Sequence, residues 1–228
     1  MKKEIVISLG GSLIVPDKVD TKALLRLKKV IDKHKRNYKF VFVCGGGSIA
    51  RKYIQSLRET NKSQKMQSLA GIAVTRLNAR FMSYFFGLDP EKGIPHDIAH
   101  VVKDLKKQGM VFCGGLRYAP DQTSDSTASK IAKQLRCSFV NLTNVRGLYN
   151  KNPAKHKDAK FIAEISWKDF YKMANALKYS PGQHFVLDQN ASKIIMQNKV
   201  PTYIIGNDFK QLDNLLSGKK FIGTKIEG

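Results

Sequence analysis

The stretch Phe40-Val41-Phe42-Val43-Cys44-Gly45-Gly46-Gly47-Ser48-Ile49-Ala50-Arg51-Lys52-Tyr53 decides the fold. Its first five residues form an unbroken apolar run, which suits a strand in a sheet covered on both faces. Three glycines follow, and Ser48 stands where it would cap a helix beginning at Ile49. A strand, a glycine turn and a helix N-terminus in succession aim bare backbone N–H groups at one point. Such a point favours an anion, most often a phosphate. The same residues also suit a tight strand-to-helix turn without a ligand, because a lone glycine signal is weak.

The pattern recurs on both sides. Glu4 to Leu9 reads as a strand running into Gly10-Gly11-Ser12, and Asp20 or Thr21 caps a helix to about His34 with Leu24, Leu25, Leu27 and Ile31 on its apolar side. Beyond the opening stretch, Ser63 to Phe86 reads as a long helix with Met66, Leu69, Ile72, Ala73, Leu77 and Phe81 near helical spacing. Arg76 and Arg80 share a face of it. A solvated basic face is the first reading of that pair, and contact with a phosphate or a neighbouring subunit the second. Gly87-Leu88-Asp89-Pro90 ends the helix, and Asp97 starts another that stops by Gly109.

Met110 to Cys113 is a third strand, closed by Gly114-Gly115, and a polar loop from Leu116 to Ser124 follows with Arg117, Tyr118, Asp121, Gln122 and Thr123. Ser124-Asp125 then opens a helix over Ser126 to Leu135. Hydroxyls and an acid at a helix start are first of all capping chemistry. A third strand–glycine–helix junction nevertheless argues for a ligand crevice, since open α/β sheets collect ligands at the carboxyl ends of their strands. Ser138 to Leu142 is a further strand, and Lys151 to Lys160 a surface loop or hairpin. Ser166 caps a helix containing the lone Trp167, Ser180-Pro181-Gly182-Gln183-His184 is a loop, and Leu187 to Asn198 is helical. Thr202 to Gly206 is a strand, and a short helix near Phe209 to Leu216 precedes a terminal strand. Alternating strands and helices predict a parallel sheet with crossover helices. With no repeat or linker composition, residues 1–228 are read as one domain.

Composition narrows the setting. At 42% hydrophobic and 25% charged the chain is ordinary for a globular protein. It has no apolar run near the roughly 18 residues of a membrane span, and its first apolar run is too short for a signal peptide. Cys44, Cys113 and Cys137 are widely spaced with no CxxC pair, so neither a zinc site nor a disulfide framework is indicated and a cytoplasmic setting is expected. The 40 Lys+Arg against 18 Asp+Glu give a formal charge of +22. These basic residues run along the whole chain and no aromatic–basic motif accompanies them. A solvated, lysine-biased exterior that attracts small polyanions is therefore favoured over a nucleic-acid surface.

Six pieces in order resemble the amino acid kinase superfamily, most closely its archaeal-type uridylate (UMP) kinases. They are Leu9-Gly10-Gly11-Ser12 with Val15-Pro16, Gly45-Gly46-Gly47 with Ala50 to Tyr53, Gly71-Ile72 with Thr75-Arg76, Thr123-Ser124-Asp125, Thr143 to Tyr149, and Asp188 with Ala191 and Lys193-Ile194-Ile195. The resemblance implies a three-layer α/β/α sandwich with a mostly parallel central sheet, carbamate kinase-like. It also implies transfer of the γ-phosphoryl group of ATP to UMP, a step of pyrimidine nucleotide synthesis, without a Walker A loop; no GxxxxGK[ST] occurs here.

By the same resemblance Gly11, Ser12, Gly47 and Arg51 would face the ATP phosphates, and Thr143, Asn144 and Tyr149 would line the adenosine side. Gly46, Gln122, Thr123 and Ser124 would hold UMP. Asp125 and Arg51 would be the catalytic groups, Asp125 organising the site without a covalent role. Mg²⁺ would accompany ATP, with no protein metal ligand assigned, and copies of the chain would form a hexamer built from dimers, or a dimer. The chain departs from the pattern at Ser8 and Ser48, where lysines are common, and at Ser68, where an acid contacts UMP. It departs also at Arg146 and Asn152, where aspartates are usual. Those departures leave two alternatives: a different acceptor, such as isopentenyl phosphate or a carboxylate, and a non-catalytic nucleotide- or polyanion-binding protein.

Overall fold

A computed structural model describes residues 2–89, 93–120, 122–176 and 187–228. The loop expected at Ser180 to His184, and with it Pro90 and Asp121, lies outside the described residues. In chain order the elements are β1 (Lys3–Leu9), α1 (Gly11–Ile14), α2 (Thr21–His34), β2 (Tyr38–Cys44), α3 (Gly47–Glu59), α4 (Gln64–Phe85), α5 (Ile98–Gln108), β3 (Met110–Cys113) and α6 (Ser124–Leu135). They continue with β4 (Ser138–Leu142), β5 (Leu148–Tyr149), β6 (Phe161–Ile162), β7 (Glu164–Ile165), α7 (Trp167–Ala176), α8 (Gln189–Gln197), β8 (Thr202–Ile205), α9 (Phe209–Leu216) and β9 (Thr224–Ile226).

Seven strands form a sheet in the order β3-β2-β1-β4-β8-β9-β7. From β3 to β8 every pairing is parallel, with Ile5 opposite Phe40 on one side and Ser138 on the other. β9 runs antiparallel to β8, and β7 pairs parallel with β9. Both faces of the central strands are covered, so β1 and β2 each end in five successive buried residues. This is why they read as continuous apolar runs and not as alternating ones. Phe42 stacks on Phe112 with centroids 4.7 Å apart, tying β2 to β3 inside the core. One hydrophobic core runs from Ile5 to Ile226. The lysine-rich segment after Tyr149 is the loop of a small antiparallel hairpin, β5–β6. No helix among the described residues is long and apolar enough to cross a membrane.

Four expectations need correction. The helix expected to start at Ile49 starts at Gly47, with Gly46 in the capping position; the Ser48 hydroxyl instead donates to the Pro16 carbonyl at 3.0 Å. The glycines themselves enter the first turn because another backbone passes where side chains would sit. In α2, Leu25 is exposed, and the buried side is Leu24, Leu27, Ile31 and His34. In α4, Met66, Leu69 and Leu77 face outward, while Val74, Asn78, Ala79, Met82 and Ser83 are buried. This helix packs over glycine loops, which demand small and hydrogen-bonding side chains, so its apolar stripe is left outside. Arg76 belongs to no solvated face: its guanidinium donates at 3.0 Å to the carbonyls of Gly115 and of Leu116.

Candidate active site

Parallel strands bring their carboxyl ends to one edge, and the first two glycine turns meet there. Gly45 N–H donates to Leu9 O at 2.9 Å, Gly10 N–H to Leu142 O at 3.3 Å, and Asn78 Nδ2 to Gly45 O at 2.8 Å. A Cβ on Gly11 would lie 2.1 Å from Gly47 N and 2.6 Å from Gly46 C, and Gly47 has a φ of +63°. Two backbones are thus in direct contact, which only paired glycines allow. Gly11, exposed Ser12 and Gly47 form one junction, with exposed Arg51 one turn along α3. The first turn of α3 carries no acidic side chain, so its N–H groups face the junction without a local carboxylate to occupy them.

The third glycine pair is fastened to α4. Thr75 Oγ1 accepts from Gly115 N–H and donates to Ile72 O, both at 2.7 Å. A cavity of about 160 Å³ opens between this fastening and the start of α6, lined by Gly71, Ile72, Thr75, Arg117, Gln122, Thr123 and Ser124 among others. The cavity therefore holds three of the four residues expected around UMP. Gly46 lies alongside, its absent Cβ 3.6 Å from a methyl of Thr75. The Gln122 amide donates to Thr127 Oγ1 at 2.9 Å and accepts from Lys130 Nζ at 3.0 Å, so its orientation is fixed.

Thr123 caps α6, accepting from Ser126 N–H in a reciprocal capping box, and its hydroxyl also donates to Asp188, the cap of α8. The capping reading of this junction is therefore met by Thr123, one residue before the expected helix opening. Asp125, in the first turn of α6, is not part of the cap. One of its carboxylate oxygens accepts from the Ser8 hydroxyl at 2.7 Å. Burial pushes its carboxyl from an ordinary 3.8 up to about 7; the Ser8 hydrogen bond opposes that rise and the neighbouring Asp188 charge adds to it. Ser8 lies three residues before Gly11, so β1 places Asp125 beside the glycine junction.

On the other side of the crevice Thr143 N–H donates to Ile205 O at 2.9 Å, which holds the residue at the carboxyl ends of β4 and β8. Asn144 next to it is exposed, and the Tyr149 ring meets Phe161 edge-on at 5.4 Å. Among the described residues no group of three or more His, Cys, Asp or Glu gathers to hold a metal ion. Sequence reasoning missed the work of three side chains here: Thr75 and Arg76 as fasteners of the third glycine loop, and Ser8 as the partner of Asp125. Ser8 stood out only as a departure from the family pattern and as a hydroxyl within the apolar run of Glu4 to Leu9.

Comparison with known proteins agrees with this fold. The sequence profile of the amino acid kinase family matches residues 3–206. The chain is 31% identical over 229 residues to the uridylate kinase of Thermoplasma volcanium, covering 100% of this chain and 99% of that one. It is 32% identical over 232 residues to the uridylate kinase of Thermococcus kodakarensis, covering 98% and 99%. The crystal structure of uridylate kinase from Archaeoglobus fulgidus superimposes with a TM-score of 0.84 at 30% identity, covering 99% of this chain and 100% of that one. The fold is shared as well with UMP kinase from Ureaplasma parvum, at a TM-score of 0.82 and 20% identity over the whole of both chains.

Proposed function

The chain belongs to the amino acid kinase family, and from that premise we propose that it transfers the γ-phosphoryl group of MgATP to UMP, releasing ADP and UDP. The observation that carries this reading is the full-length match, above 30% identity, to archaeal uridylate kinases. Residues 1–228 act as one catalytic domain, a reading supported by the core shared from Ile5 to Ile226. MgATP lies with its phosphates on the Gly11–Ser12 and Gly47 backbones and its adenosine toward Thr143, Asn144 and Tyr149. UMP occupies the cavity between Thr75 and Ser124, with Gly46, Gln122 and Thr123 against it. Its phosphate oxygen attacks the γ-phosphorus in line, the bond to the β,γ-bridging oxygen breaks, and ADP leaves with that electron pair.

Such a transfer asks for positioning and charge neutralisation more than covalent chemistry. Backbone N–H groups at the paired glycines and the Arg51 guanidinium offset charge on the moving group. Mg²⁺ arrives as part of the nucleotide substrate and takes most of its ligands from phosphates and water. The ionised Asp125 carboxylate, bonded by the Ser8 hydroxyl, organises the transfer site without a covalent role. The enzyme works in the cytoplasm, where its three free cysteines are suited to a reducing medium.

A coupled ADP-release assay across UMP, CMP, dUMP, isopentenyl phosphate and small carboxylates tests the reading. UMP is expected to be turned over fastest; a better acceptor among the others would replace it. In the same assay Arg51→Ala is expected to lower kcat/KM by roughly 10- to 150-fold, the worth of a hydrogen bond to a charged group. An unchanged value would remove Arg51 from the site.

The enzyme is a homo-oligomer, a dimer or a hexamer built from dimers. The support is the outward stripe of α4, where Met66, Leu69, Leu77 and Tyr84 are 55%, 44%, 63% and 56% exposed. Sedimentation velocity at micromolar concentration should show an oligomer, and a Leu77→Lys variant should shift it toward monomer. A wild-type monomer would overturn the assignment.

A further inference from the structure

Ser8 is a hydroxyl in a place that ordinarily holds none. It is 1% exposed, within β1 between Ile7 and Leu9, both fully buried. Its in-register neighbours are Val43 on β2 and Asn141 on β4. A hydroxyl so placed costs stability unless it is bonded, and its bond runs 117 residues along the chain to Asp125 Oδ1 at 2.7 Å. We propose that Ser8 is a positioning residue of the phosphoryl-transfer site: its O–H fixes one carboxylate oxygen of Asp125 in place. The proposal rests on the kinase reading only for the consequence in turnover. The contact itself stands on the strand register and the hydrogen bond.

The surroundings explain why a single hydroxyl matters. On the β1 side the group facing Asp125 is Ser8, uncharged. The α8 side presents Asp188, a like charge that is itself engaged by the Thr123 hydroxyl and the Ala191 N–H. On α6, Lys130 is turned to the Gln122 carbonyl oxygen. Among the described residues no lysine or arginine acts on Asp125, and burial raises its carboxyl to about 7. Among those residues the Ser8 bond is the one influence favouring the charged form. Ser8 Oγ–H is a donor to that form, and a donor to a carboxylate stabilises its charge.

The experiment compares wild type, Ser8→Ala and Ser8→Thr in two readouts. Carbon-13 NMR of the aspartate carboxyls, with Asp125→Asn to assign the resonance, reads the titration midpoint of Asp125 without any turnover. The kinase assay between pH 5.5 and 9.5 reads the acid limb of kcat/KM. Ser8→Ala is expected to move the midpoint up by about one unit. Its kcat/KM then falls roughly fivefold at pH 7 and approaches wild type at pH 9, as one unit of displacement requires. Ser8→Thr, which keeps the hydroxyl, is expected to restore both. An unmoved midpoint, or a loss of rate equal at every pH, would overturn the proposal. A displaced midpoint in a protein that does not phosphorylate UMP would uphold the Ser8–Asp125 contact and overturn the kinase reading instead.

Discussion

Asp125→Asn is expected to lower kcat by on the order of 10²–10³-fold, as the loss of one preorganised electrostatic group does, and at the same time to raise the melting temperature. The two effects share a cause. Folding lifts the Asp125 carboxyl from an ordinary 3.8 to about 7, so the folded state prefers the neutral acid. The stability linked to that preference is complete below the unfolded value and is lost as pH rises through about 7. Above it the buried charge costs roughly 4 kcal/mol relative to an unperturbed carboxyl. Asparagine keeps the shape and an acceptor for Ser8 but cannot ionise. Scanning calorimetry should therefore find the variant more stable by at least about 5 °C at pH 8, with the gap closing toward pH 5. Normal turnover in the variant would refute the catalytic assignment, and a pH-independent melting difference would refute the electrostatic one. A trade of stability for activity of this kind is what the proposed role of Asp125 in a desolvated position would entail.

Gly11→Ala is expected to be the most damaging glycine-to-alanine change among the described residues. The new Cβ would sit 2.1 Å from Gly47 N and 2.6 Å from Gly46 C, and neither neighbour is a side-chain end that can swing aside. The junction must open, at a cost of about 3 kcal/mol or more, and the backbone N–H groups proposed to face the nucleotide phosphates separate with it. MgATP should then give little or no thermal stabilisation. Gly10→Ala is the internal control. Its Cβ would come no closer than 3.4 Å to another atom, an ordinary contact, so the variant should melt within a few degrees of wild type and bind nucleotide. Equal behaviour of the two variants would show that the close approach of the turns is not what builds the site.

Much of this was legible beforehand because it follows from local rules. The apolar runs ending at Leu9, Cys44, Cys113 and Leu142 announced strands buried on both faces, and strand–helix alternation then left a parallel sheet as the natural arrangement. Parallel strands share one carboxyl edge, so three glycine turns in one chain already placed a crevice there. Helix caps at Asp20, Asp97 and Ser166 were visible for the same reason: each bond spans three residues.

The errors came where a side chain answers to a distant part of the chain. Periodicity in α4 put Met66, Leu69 and Leu77 on its apolar side, and those three lie outside. The buried face must serve backbone, with Asn78 bonding Gly45 and Thr75 with Arg76 holding Gly115 and Leu116. Ser48 looked like a cap until the contact of Gly11 with Gly47 moved the helix start. Sequence by itself determined the elements, the sheet and the edge where the glycine turns gather, because hydrophobic period, glycine freedom and capping act within a few residues. Only the tertiary structure decided which hydroxyl governs which acid. The Ser8–Asp125 bond joins groups 117 residues apart, and no local rule encodes a distance across the sheet.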